Sequence, residues 1–283
     1  MSGPAPTPGA TFITGTIFLI GGSEDKEPGG ARRILRAVAE RAGGGPLVVC
    51  TPATKVPEVV GPQYVERFRD LGVGDVRHVD LRSALDSIRP ENIATFEGAS
   101  AVFLSGGDQR RIAACVLNTP LHAALRDLLA RGGTLAGTSA GAMAVSATMI
   151  AGGPGIGAHG NAKLELTPGL GLLDGAIVDS HFAQRGRWAR LLAAVARCPG
   201  QLGLGVDEDT AAVVEDGRLR VLGSGHVWVL DGAELRGVRE DAKQLLGLGS
   251  AWNARMAMLG EGDELELASG ALHRDEVAEA VGE

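Results

Sequence analysis

Residues 137 to 141 read Gly-Thr-Ser-Ala-Gly, a serine held between small residues in the pattern Gly-x-Ser-x-Gly. "TLAG" before Ser139 reads as a strand, and "AGAMAVSATMI" after it, residues 140–150, reads as a helix. In that setting a sharp turn exposes the hydroxyl, the next amide faces a developing oxyanion, and the helix N-terminus favours negative charge. The same residues also describe a glycine-rich turn in which Ser139 only caps the helix. The pentapeptide alone leaves both readings open.

A serine hydroxyl is too weak an acid to attack unaided, so the nucleophilic reading needs a base and a group that orients it. Of the six histidines, His78, His122, His159, His226 and His273 sit in ordinary strand, helix or loop contexts. His181, in "VDSHFAQR", stands where a strand ends and a loop begins. Three carboxylates, Asp207, Glu208 and Asp209 in "GLGVDEDTAAVV", occupy another strand exit. Spacing neither chooses among them nor separates them from a solvated acidic turn.

Charge marks a second cluster. Arg187 and Arg190 are three apart at the start of a predicted helix, "RWARLLAAVARC", and share a face, with Arg185 just before them. Cations there oppose the positive end of the helix dipole, an arrangement explained if they bind carboxylate; the alternative is a solvated basic face. Asp179 precedes His181 by two and points to the same side of the strand, where it could meet a substrate cation or assist the histidine.

The elements that must position these residues alternate. "TIFLIGG", "PLVVCTPAT", "GDVRHVDL", "ASAVFLSGGDQ" and "GGTLAGTS" are apolar strands ending in loops. Helical segments lie between them: "GARRILRAVAERAGG", "GPQYVERFRDLG" and "PLHAALRDLLARG", the last opening on Pro120. Alternation of this kind means an α/β fold, a parallel sheet with helices on both faces and ligands at the carboxyl ends of the strands. From about residue 176 "AIVDSHF" adds a strand, and residues 211–232 form a hairpin around Asp216-Gly217, a smaller β-rich elaboration. The expected division is a disordered lead-in over 1–15, one catalytic domain over 16–240 and a peripheral extension over 241–283.

Composition removes other classes. A formal net charge of −7 counts against a nucleic-acid partner, and no apolar run reaches the roughly 18 residues of a membrane span. No targeting segment is recognisable, so a cytoplasmic location is expected. Cys50, Cys115 and Cys198 are isolated, without the spacing of a zinc or redox site, and read as small buried thiols.

"VFLSGGDQ", "GTSAGAMAVS", "VDSHFAQRGRWARLL" and "GLGVDEDTAAVV", in this order after "LIGGSEDK", closely resemble the cyanophycinase-type serine peptidases, the family that includes aspartyl dipeptidase. The likeness spans about residues 16 to 230. It implies a flavodoxin-like sheet related to class I glutamine amidotransferases, with Ser139 as nucleophile, His181 as base and Glu208 as its orienting acid. That order differs from the Ser, acid, His of α/β-hydrolases. The oxyanion donors would be the amides of Ala140 and Gly107, and Gln109 would be a pocket residue. The implied activity is hydrolysis of β-aspartyl-arginine bonds in cyanophycin or a related Asp/Arg peptide, with Arg185, Arg187 and Arg190 receiving carboxylates. Neither metal nor organic cofactor is called for, and a homodimer is the family's expectation. Ser180 stands where the family carries glutamine, which keeps open a different short peptide as substrate. A noncatalytic binding module is the reading from another class, and the Ser, His, Glu set weighs against it.

Overall fold

Alternation along β1 (Thr16–Ile20) sets the layers of the molecule: Ile17 and Leu19 face one hydrophobic core, Phe18 and Ile20 the other. In this computed structural model, which describes residues 14–24, 32–153, 163–240, 248–267 and 272–274, β1 belongs to a five-stranded parallel block. Its members are β2 (Leu47–Cys50), β3 (Val76–Val79), β4 (Ala101–Leu104) and β5 (Thr134–Thr138), in the order β1-β5-β4-β2-β3. One face is covered by α1 (Arg33–Arg41) and α2 (Pro57–Asp70), which contribute Ile34, Leu35, Val38 and Phe68. The short α3 (Pro90–Ala94) follows β3. The opposite face receives Ile112 and Val116 of α4 (Gln109–Val116) and Leu121 and Leu125 of α5 (Pro120–Ala130). α4 adds to the elements read from the sequence; Asp108 caps it by accepting the Arg110 amide at 2.9 Å.

The helix predicted over 140–150 is much shorter. α6 (Ala140–Ala144) gives way to β6 (Thr148–Gly152), which pairs antiparallel with β7 (Glu165–Pro168). The carbonyls of Ala144, Val145, Ser146 and Ala147, which a continuing helix would use, accept amides from residues 169–173 instead. Tertiary hydrogen bonds override the local helical pattern here.

The second half builds outward from that block. β8 (Ala176–Ser180), α7 (Trp188–Arg197) and the parallel β9 (Leu202–Val206) start a second sheet. β10 (Thr210–Glu215) and β11 (Arg218–Gly223) form a hairpin on the expected turn and add antiparallel to β1, but the hairpin ends at Gly223 instead of reaching 232, because residues 227–231 pair in the second sheet. Both turn residues have positive φ, Asp216 at 48° and Gly217 at 76°, as a two-residue turn matched to strand twist requires. β12 (Val227–Asp231) joins β9, and β13 (Arg236–Glu240) pairs with β14 (Leu248–Trp252). β15 (Arg255–Leu259) then pairs with β12, while β16 (Asp263–Glu266) and β17 (Leu272–Arg274) continue from β11. The result is a nine-stranded sheet, β17-β16-β11-β10-β1-β5-β4-β2-β3, beside a four-stranded one, β15-β12-β9-β8.

Leu259 and Leu265, from the segment expected at the periphery, are buried in the main core. Most of the lead-in expected over 1–15, and His159, lie outside the described residues. Cys50 and Cys115 are buried free thiols and Cys198 is half-buried; desolvation pushes the Cys115 and Cys198 thiols up. Among the described residues no helix is long and apolar enough to cross a membrane.

Candidate active site

Ser139 joins β5 to α6 with φ 53° and ψ −109°, a conformation that costs a non-glycine residue on the order of 1–3 kcal/mol. Its surroundings hold it there. The Ser139 amide donates to Ile20 O at 2.8 Å, and its carbonyl accepts from the Met143 amide at 3.1 Å. The flanking glycines are required by space: a Cβ on Gly137 would lie 2.5 Å from the Gly141 carbonyl carbon. A Cβ on Gly106 would lie 3.3 Å from Ser139 Cβ, so the turn after β4 also abuts this serine.

His181 leaves β8 with φ 46°, its amide donating to Gly21 O at 2.9 Å. The end of β1 thereby seats both the serine and the histidine. Nε2 of His181 is 2.9 Å from Ser139 Oγ, and Nδ1 is 2.7 Å from Glu208 Oε1. An ionised carboxylate only accepts, so Nδ1–H donates to Glu208 and the Nε2 lone pair receives the serine O–H. Burial pushes the imidazole pKa below its ordinary 6.5; the bond to Glu208 opposes this, and the positive charges of Arg185 and Arg187 add to it. The ring is therefore a neutral base at neutral pH.

The three carboxylates separate into distinct roles in the fold. Glu208 reaches the imidazole. Asp207 is 3% exposed and accepts the amides of Ala183 at 2.9 Å and His226 at 3.2 Å, together with Trp228 Nε1 at 3.2 Å. Asp209 turns away with φ 52° and accepts from Ser224 Oγ at 2.7 Å.

Ala140 heads α6, directly after the serine. Gly107 has φ 143°, and a side chain there would run into the Ala53 carbonyl. Gln109 donates through Nε2 to the carbonyls of Ile150 at 2.6 Å and Ala151 at 3.2 Å. Asp179 is fully buried and takes both arginines: Arg190 through Nε at 2.8 Å and through Nη2, Arg187 through Nη1 at 3.0 Å. Arg187 also donates to Ser180 O at 2.6 Å, and its Nε is buried without a partner among the described residues. Burial lowers the Arg187 pKa to about 10, against the pull of Asp179 and with the Arg190 charge adding to the drop. Ser180 is buried and donates from Oγ to Met143 Sδ at 3.3 Å. Arg185 is exposed.

Ser139, His181 and Glu208 thus meet, as do Asp179, Arg187 and Arg190, while the side chains of Gln109 and Ser180 are committed to the protein itself. Three further residues bear on the site. Gly22, with φ 97°, lies under the imidazole, where a Cβ would come 2.6 Å from Nε2. Glu24, 7% exposed, accepts from Tyr64 OH at 2.5 Å and from Thr138 Oγ1 at 2.6 Å, next to the serine. Gln184 Oε1 accepts the Glu208 amide at 3.1 Å. The glycine pair closing β1 was the available signal for Gly22; no local pattern pairs Glu24 with Tyr64 or Gln184 with Glu208.

The family signature of Peptidase family S51 matches residues 17–222. The chain is 40% identical over 267 residues to the cyanophycinase of Trichormus variabilis, covering 92% of this chain and 88% of that one. It is 34% identical over 256 residues to the cyanophycinase of Geminocystis herdmanii, covering 89% and 93% respectively. A crystal structure of a peptidase from an acI-B1 Actinobacterium superposes with a TM-score of 0.66 over 90% of this chain and 97% of that one, at 22% identity, and shares the fold. A signature across most of the chain and relatives of this identity give one conclusion: the chain belongs to Peptidase family S51 and is a serine-type peptidase.

Proposed function

We propose that this peptidase degrades cyanophycin through Ser139 as nucleophile, His181 as general base and acid, and Glu208 as the group that orients the histidine. The observation that carries the reading is the unbroken chain from Ser139 Oγ to Nε2 at 2.9 Å and from Nδ1 to Glu208 at 2.7 Å, in a chain whose relatives are cyanophycinases. Ser139 Oγ attacks the amide carbonyl as its proton passes to Nε2, and the oxyanion faces the amides of Ala140 and Gly107. His181 returns the proton to the departing amine, then deprotonates the water that hydrolyses the acyl-serine.

Cyanophycin is a polyaspartate bearing arginine on each side-chain carboxyl. Release of an intact β-Asp-Arg dipeptide leaves the aspartyl-arginine link whole, so the bond cut is the backbone amide and not the β-aspartyl-arginine bond itself. Among the described residues two guanidiniums are set against the Asp179 carboxylate and the buried Arg187 Nε has no partner, which leaves net positive charge beside the site. This supports a carboxylate-binding role for Arg187 and Arg190, joined by the exposed Arg185, with Asp179 holding Arg187 and Arg190 in place. Gln109 and Ser180 shape the pocket through the backbone and the sulfur they contact.

We further propose one catalytic unit that begins at residue 16 and includes β15 and β16, whose Leu259 and Leu265 lie in the main core, working as a cytoplasmic homodimer. The test is incubation with cyanophycin, a β-Asp-Arg oligomer and a panel of aspartyl and arginyl peptides, products read by mass. β-Asp-Arg dipeptide from cyanophycin is the expected product. Hydrolysis confined to the other peptides, the outcome that Ser180 in place of the family's glutamine favours, would overturn the substrate and leave the mechanism standing.

A further inference from the structure

The loops that carry the histidine and the acid are tied by a reciprocal pair of hydrogen bonds. From the loop after β9, the Asp207 carboxylate accepts the Ala183 amide, two residues past His181, at 2.9 Å. From the loop after β8, the Gln184 side chain accepts the Glu208 amide at 3.1 Å. Each loop thus supplies a side-chain acceptor to a backbone donor of the other, and the four residues flank the His181–Glu208 contact. Asp207 is anchored from behind by the His226 amide and Trp228 Nε1, both at 3.2 Å, so β12 fixes its carboxylate. Its charge is buried and satisfied by N–H donors, with His226 Nδ1 farther off at 3.8 Å. Such an arrangement costs desolvation and is stable only with its donors in place.

We infer that Asp207 and Gln184 are positioning residues for the hydrolysis, a reciprocal stitch that holds Glu208 against the His181 imidazole while neither touches substrate. The inference rests on the triad assigned above. His181 is joined to the protein on one side through Glu208, and the stitch fixes where Glu208 can stand relative to the ring. Loosening it misplaces the acid rather than removing it. A catalytic group displaced by about 1 Å loses on the order of a hundredfold in rate. It also moves the base: contact with Glu208 raises the imidazole pKa against burial and against the Arg185 and Arg187 charges facing it, so a slack contact lets that pKa fall further.

The experiment compares Asp207→Asn, Gln184→Ala and Ser139→Ala with the unaltered protein, using kcat, KM, the pH dependence of kcat/KM and thermal melting. In Asp207→Asn the amide must turn an N–H toward Ala183, which breaks the stitch, or toward the His226 and Trp228 donors, which removes the anchor behind it, in either case at constant size. The expected result is a kcat loss of about tenfold to a hundredfold with KM little changed and the acid limb of kcat/KM displaced to lower pH. Gln184 is exposed, so Gln184→Ala should fold normally and move the same limb in the same direction with a smaller kcat loss. A merely structural role would lower the melting temperature and leave the limb in place. Wild-type kcat and acid limb in Gln184→Ala, together with wild-type values or failure to fold in Asp207→Asn, would overturn the inference. Full activity in Ser139→Ala would instead overturn the triad on which it rests.

Discussion

Substituting Gly22 by alanine probes the geometry of the site without replacing any reacting group. The added methyl would lie 2.6 Å from His181 Nε2, the nitrogen that faces Ser139 Oγ, and 3.2 Å from Nδ1. Non-bonded carbon needs about 3.5 Å, so the gap to be opened at Nε2 is roughly 0.9 Å. The backbone cannot easily supply it. Gly22 O accepts the Asp209 amide at 2.9 Å, Gly21 O accepts the His181 amide at 2.9 Å, and a φ of 97° strains any side chain there. The imidazole must move instead, and its two short contacts, 2.9 Å to Ser139 and 2.7 Å to Glu208, cannot both survive a shift of that size. A displacement near 1 Å predicts a kcat loss of about a hundredfold, or about 2.7 kcal/mol in the barrier, with KM within about twofold. Steady-state hydrolysis of a β-Asp-Arg oligomer measures it, with a melting curve to verify the folded fraction. A folded Gly22→Ala enzyme whose kcat stays within about threefold of the unaltered one would refute the placement of the ring.

Because burial holds the His181 pKa below 6.5, and only the neutral ring can take the serine proton, kcat/KM should fall as pH drops through a value below 6.5; an acid limb above 7 would contradict this. His78 and His122 are also held down by burial. The folded state therefore binds fewer protons than the unfolded one below the ordinary histidine value, and the melting temperature should decline as pH falls from 7 toward 5, where a flat profile would speak against it. Arg190→Met removes the Arg190 hydrogen bonds to the buried Asp179 carboxylate and leaves Arg187 as its counter-ion, which should cost about 1.5–3 kcal/mol in denaturant unfolding; a change under about 0.5 kcal/mol would mean that the cluster is not as described. Gly217→Ala places a side chain at φ 76° in the hairpin turn and should destabilise by about 1 kcal/mol while leaving kcat unchanged.

The parallel block was legible because β1 and β4 are short apolar runs stopped by paired glycines and β2 is one stopped by Thr51-Pro52, local signals that tertiary structure reinforces. The hairpin was legible for a similar reason, since Asp216-Gly217 tolerates the two positive φ values that the turn needs. Where long-range hydrogen bonds decide, the pattern misleads: "AGAMAVSATMI" is helical by composition, yet residues 169–173 capture the carbonyls that would continue the helix. Ser139 and His181 could be picked out at strand exits. The choice among Asp207, Glu208 and Asp209 could not be made from spacing, because it depends on which carboxylate β12 captures and on the positive φ of Asp209. Asp179 shows the reach of a period-two argument: alternation put it on the face of His181, but only the packing of α7 against β8 reveals that its partners are Arg187 and Arg190.

The most direct test of the account is Ser139→Ala with cyanophycin as substrate, read by mass for released β-Asp-Arg and, on the protein, for an acyl adduct. The unaltered enzyme should release the dipeptide and carry a transient adduct on Ser139. The variant should lose turnover by about 10⁶-fold and carry none. Dipeptide release at an undiminished rate by the folded Ser139→Ala protein would contradict the assignment of Ser139 as the nucleophile.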